Sequence, residues 1–260
     1  MPTKAPLLFM IETLRIYSAQ RFSTLMFFSL AVFLFLFSVP FHAIDLLSLI
    51  DVLKVFFMLW VMRLYDDVMQ WENDVEFDER IYTHPESRSK LILPLVLSMA
   101  LSVSFCLSDS PDFSLATMWL YFIIVNHVLY KALVHRSFWA FVLPLLKYPF
   151  LFFYISLSYG FIENVSYIEY TSASGLFLAF VVYDLLDNQT SDKPPVVLYF
   201  MVVFCLALLF LASVNVVSLI SGLAVLAAAF IVVHSKKEIV PLVWLLLILI
   251  FKLISNNYVI

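Results

Sequence analysis

From residue 22 onward the chain runs in long apolar stretches, each closed by a short polar or charged turn. The stretches lie near 22–43, 46–68, 91–108, 113–131, 138–160, 170–187, 195–214, 216–234 and 238–255. A helix crossing a bilayer needs about 20 mainly apolar residues. The pattern therefore predicts an all-α fold, a multi-pass transmembrane bundle of about nine helices around a central cavity. Residues 1–21 hold a shorter apolar stretch followed by Glu12 and Arg15. They read as an amphipathic lead-in and not as a signal peptide. The polar stretches are too short for a separate soluble domain, so one membrane domain over 1–260 is expected.

Composition strengthens this expectation. Hydrophobic residues make up 63% of the 260 and charged residues 13%, where a soluble domain sits nearer half and a quarter. Lys and Arg also alternate along the chain. Lys4, Arg15, Arg21, Arg80, Arg88, Lys90, Lys131, Arg136, Lys193, Lys236 and Lys237 fall in alternate turns, and the turns between them carry neither residue type. Positive residues collect in cytoplasmic loops. A cytoplasmic N-terminus and an external C-terminus follow, in the inner membrane of a bacterial cell. No basic block points to nucleic acid. Cys106 and Cys205 lie inside apolar runs with no metal-ligand spacing. Three glycines leave no Gly-rich phosphate loop.

The unusual residues are acidic. One cluster closes the second stretch, with Arg63, Asp66, Asp67, Gln70, Glu72 and Asp74, and another closes the sixth, with Asp184, Asp187, Asn188 and Asp192. Asp66, Gln70 and Asp74 fall at i, i+4 and i+8, which is one helical face. Asp184 and Asn188 repeat the step, and Asp192 completes it if the helix persists. A carboxylate at a bilayer centre costs about 2.5–3.5 kcal/mol, and the C-terminal end of a helix also repels negative charge. Divalent cations would neutralise such a set. Carboxylate and amide oxygens suit Mg²⁺. Glu72, Glu76, Asp78, Glu79 and Glu86 continue into a polar loop and read as solvated charges. Lys147 lies mid-run between Pro144 and Pro149, where an unpaired ammonium is costly, so it should face a cavity or an acid. Asn126 and His127 are either cavity-lining or a packed, hydrogen-bonded pair.

At these residues the chain resembles the UbiA superfamily of intramembrane prenyltransferases. The stretch Asp66-Asp67-Val-Met-Gln70-Trp-Glu-Asn-Asp74 is similar to the family's first Asp-rich motif, with Arg63 before it and His84-Pro85-Glu86-Ser87-Arg88 after it. Glu12-Thr-Leu-Arg15-Ile-Tyr is similar to its N-terminal pattern. Asp66 stands where Asn is usual, Gln70 where Asp is usual, and Asp192 falls one residue late. The resemblance implies a Mg²⁺-dependent transfer of an isoprenyl group from an isoprenyl diphosphate to an acceptor, often aromatic, within the bilayer. It implies Asp67, Asp74, Asp184 and Asp187 as the catalytic carboxylates. Mg²⁺ would be held by Asp66, Asp67, Gln70, Asp74, Asp184, Asp187 and Asp192, and the diphosphate by Arg63, Lys131, Arg136 and Lys147. Alternatives are a membrane terpene cyclase with the same ionisation chemistry, a transporter with acids in its path, or a degenerate structural paralogue. A CDP-alcohol phosphotransferase ranks low, because neither acidic cluster contains Gly.

Overall fold

The computed structural model describes residues 6–22, 24–39, 43–69, 71, 80–109, 114–133 and 143–159, together with 173, 174, 177 and 180. Every regular element among them is helical. In chain order they are α1 (Pro6–Arg21), α2 (Thr24–Ser38), α3 (Ser48–Met69), α4 (Pro85–Asp109), α5 (Ser114–Leu133) and α6 (Lys147–Ser158). Short 3-10 turns, Ile81–Thr83 and Leu143–Leu146, precede α4 and α6.

Local chemistry accounts for several helix ends. Pro6 and Pro85 each open a helix at the position where a missing N–H costs nothing. His84 is held extended before Pro85, at φ −78 and ψ 123, as a residue before proline must be. Its carbonyl accepts the first helical bond, from Arg88 N, at 2.9 Å. Glu86 in the first turn of α4 and Asp51 in that of α3 favour the positive ends of those helices. Pro144 lies in the 3-10 turn and Pro149 in the first turn of α6, so neither interrupts an α-helical ladder.

The described residues fall into two compact units. The first comprises Met1–Val32 and Leu46–Tyr121. In it α3 and α4 run antiparallel. Lys54, near the start of α3, pairs with Asp109 at the end of α4. Phe57 packs edge-on against Phe105, with centroids 5.5 Å apart. Arg88, near the start of α4, lies 3.7 Å over the ring of Trp71, just past the end of α3. Helix α1 lies against both: Trp60 Nε1 donates to Ser18 Oγ at 3.3 Å, and Lys90 Nζ sits 3.6 Å over the Phe9 ring. The second unit comprises Phe33–Asp45 and Phe122–Ile260. Aromatic side chains hold its described part, with Phe37 on Phe152, Phe35 on Tyr159, Phe122 stacked on Phe150, and Tyr148 stacked on Phe180.

The expectation of about nine membrane-crossing helices is corrected here. Among the described residues there are six α-helices, and one of them, Pro85–Asp109, is long and apolar enough to cross a membrane. With 16, 15 and 12 residues, α1, α2 and α6 fall short of the bilayer length. α3 has the length, but Asp51, Lys54, Arg63, Asp66 and Asp67 spread charge along it. In α5 the apolar part is Ser114–Leu129. An apolar run of this kind is also what a packed helix shows, and periodicity does not separate the two. The integral multi-pass placement, its cytoplasmic N-terminus and external C-terminus, its inner-membrane location and the bilayer as partner fall with the span count. The stretches expected near 195–214, 216–234 and 238–255, and nearly all of 170–187, lie outside the described residues.

Candidate functional site

Of the predicted site residues, Arg63, Asp66, Asp67, Lys131 and Lys147 are described. Gln70, Asp74, Arg136, Asp184, Asp187 and Asp192 lie outside the described residues. Asp66 and Asp67 occupy the last turn of α3 and are 5% and 3% exposed. Carboxylates there oppose the helix dipole, so their burial demands positive partners.

Asp67 has them. Arg21, the last residue of α1, grips it with two parallel bonds: Nε donates to Oδ2 at 3.0 Å and Nη2 to Oδ1 at 2.9 Å. Tyr17, one turn earlier on α1, donates its hydroxyl to Oδ2 at 2.9 Å. Arg63, one turn earlier on α3, brings Nε to 3.4 Å of Oδ2. Burial by itself would raise the Asp67 carboxyl. The Arg63 charge, the Arg21 bonds and charge, and the Tyr17 hydroxyl outweigh it and hold the group below the usual carboxylate range. Tyr17 moves the other way, because burial and then the Asp67 charge push its hydroxyl well above its ordinary value. Arg21 is raised: burial opposes its charge, and the Asp67 bond overcomes that.

A second ring of contacts steadies Arg21. Its guanidinium lies 5.2 Å over the Tyr82 ring, and the Tyr17 and Tyr82 rings meet edge-on at 6.3 Å. Tyr82 accepts a bond from Arg80 Nη1 at 3.0 Å, and Gln20 Oε1 accepts one from Ile81 N at 3.0 Å. The 3-10 turn before α4 is thereby tied to the end of α1.

Of the remaining candidates, Lys131 is exposed near the end of α5. Lys147 is 5% exposed in the second unit, with Nζ 5.6 Å from the centre of the Tyr148 ring. Asn126 is buried in the same unit, and its side-chain oxygen takes no hydrogen bond among the described residues. Sequence reasoning missed Tyr17 and Arg21 as partners of Asp67. The available signal was their i, i+4 spacing at the end of α1, but nothing local names a partner 46 or 50 residues away.

Asp66 and Asp67 are the described residues among the expected Mg²⁺ ligands, and Asp67 is engaged by other partners. Asp67 spends both oxygens on Arg21 and Tyr17 and sits beside a second guanidinium, so a dication there would face fixed positive charge. No group of three or more His, Cys, Asp or Glu among the described residues could hold a metal ion. No protein-family profile, curated protein or solved structure matches the chain. The expectation drawn from the UbiA resemblance is corrected accordingly. The described helices do not form that multi-span architecture, and they hold no metal centre to ionise a prenyl diphosphate. The Mg²⁺-dependent prenyl transfer, its enzyme class, and the isoprenyl diphosphate and acceptor as partners are withdrawn with it.

Proposed function

We propose that the Asp67 centre is a structural lock with no catalytic part, and that the first unit serves as a helical scaffold. The observation that carries this reading is the engagement of both Asp67 oxygens by donors from one other helix. Both carboxylate oxygens are taken by donors from α1, and the group is buried among them. A nucleophile, a general base or a metal ligand needs an open lone pair facing a substrate or ion. A carboxylate held by a bidentate Arg and a Tyr hydroxyl, all contributed by another helix, has the chemistry of an anchor.

The test compares the parent chain with Asp67→Asn and Arg21→Met by thermal unfolding and by Mg²⁺ titration calorimetry. Both variants should lose stability, and their Mg²⁺ response should equal the parent's. Retained stability with a weakened Mg²⁺ response in Asp67→Asn would sink the lock.

A further inference from the structure

Helix α4 carries an aliphatic strip on its outer face. Ile92, Leu93, Val96, Leu97 and Leu101 are each between 45 and 58% exposed. The opposite face, turned into the first unit, contains Leu91, Pro94, Leu95, Ser98, Ser102 and Cys106, all buried. The inward hydroxyls are satisfied within the helix: Ser98 Oγ donates to Leu95 O and Ser102 Oγ to Ser98 O, each at 2.9 Å. Water is a poor neighbour for the outer face, and an uncharged aliphatic strip of this length marks a contact surface.

The arrangement of the strip names its occupant. Its exposed positions are symmetric about the point midway between Val96 and Leu97. A two-fold axis through that point sets Val96 of one copy opposite Leu97 of the other, Leu93 opposite Ala100, Ile92 opposite Leu101, and Ser89 opposite Ser104. Large meets small at the Leu93–Ala100 pair, hydroxyl meets hydroxyl at the ends, and no charge meets a like charge. Self-complementarity of this kind is what a two-fold contact requires. The area is sufficient: the strip and its Ser and Ala margins expose roughly 600 Å² per copy, so a pair covers about 1,200 Å², the lower bound of specific interfaces.

We infer that α4 is the contact face of an antiparallel, two-fold dimer of this chain. Sedimentation of the full chain should give a dimer, and Leu97→Glu should weaken it about 100-fold by placing unpaired charge at the axis. Folding of that variant is checked by circular dichroism. A crosslinking arm leaves the face intact. In a Cys106→Ser, Cys205→Ser background, Leu97→Cys lies beside the axis and should crosslink with a short thiol reagent. Ser89→Cys lies about 11 Å along the helix from the axis and should not. A monomeric chain, equal crosslinking at both positions, or a monomer that floats with phosphatidylcholine vesicles each overturns the proposal.

Discussion

A carboxylate buried at the negative end of a helix is unstable unless its charge is matched, and Asp67 is matched by residues of a different helix. Truncating it leaves Arg21 without its acid. Breaking a buried pair in this way costs about 3–5 kcal/mol. Asp67→Ala should therefore lose that much in urea unfolding, and Tyr17→Phe, which removes one neutral donor, about 1 kcal/mol. Equal losses would mean that the hydroxyl matters as much as the ion pair. The pH dependence follows from the same contacts. The folded Asp67 carboxyl lies below its unfolded value, so the folded state releases this proton more readily. Its stabilisation is complete above the unfolded value, near pH 4, and fades as pH falls through the folded one. Tyr17 is raised, so its contribution is complete below about pH 10 and is lost as pH climbs beyond that. Asp67→Asn should flatten the acid limb of stability against pH and, by removing the charge that helps raise Tyr17, draw the basic limb to lower pH.

At the scale of elements, α3 and α4 form a hairpin fastened at both ends. Arg88 on Trp71 closes the end near the Asp67 lock, and Lys54 with Asp109 closes the other. Lys54 also reaches Asp51, one turn back, at 3.0 Å. Its amine is raised: burial opposes the charge, and the bonds to Asp109 and Asp51 overcome that. This pair is only partly buried, so Lys54→Met should cost about 1 kcal/mol, less than any change that strands the charges around Asp67. The cost should appear in native-state hydrogen exchange as faster opening at the α3 start and the α4 end, with α1 unaffected. Uniform acceleration across α1 would contradict a hairpin closed at two separate ends. The helices themselves were legible from the apolar runs: 46–68 became Ser48–Met69, and 113–131 became Ser114–Leu133. Their surroundings were not legible. A run such as 91–108 reads alike whether its neighbour is lipid, a packed core or a second protein surface, and the alternation of Lys and Arg carries no partner information. The acidic pair at 66 and 67 was visible as anomalous charge. Its neutraliser was not, because an ion pair across 46 residues is a property of packing and not of local pattern.

For the whole molecule, two charge balances act over different pH ranges and should separate in one experiment. The chain carries a formal net charge of −4, with a sequence pI near 5.7. Near that pH the repulsion that keeps dimers apart vanishes. Exposed aliphatic side chains outside the α4 contact face, such as Leu49 and Leu53 on α3, are then free to associate. The Asp67 lock is still intact there, because its carboxyl ionises well below pH 5.7. Light scattering should therefore rise to a maximum near pH 5.7 while helical circular dichroism stays at its neutral-pH value. Helix content should fall only below about pH 4, where Asp67 begins to protonate and α1 loses its anchor. Leu97→Glu, one charge more negative, should move the scattering maximum to lower pH without moving the unfolding limb, and Asp67→Asn, one charge less negative, should move the maximum slightly upward while altering the unfolding limb. Helix loss that tracks the scattering peak in the parent would mean that association follows unfolding, and that the apolar faces are exposed by disruption instead of presented by the fold.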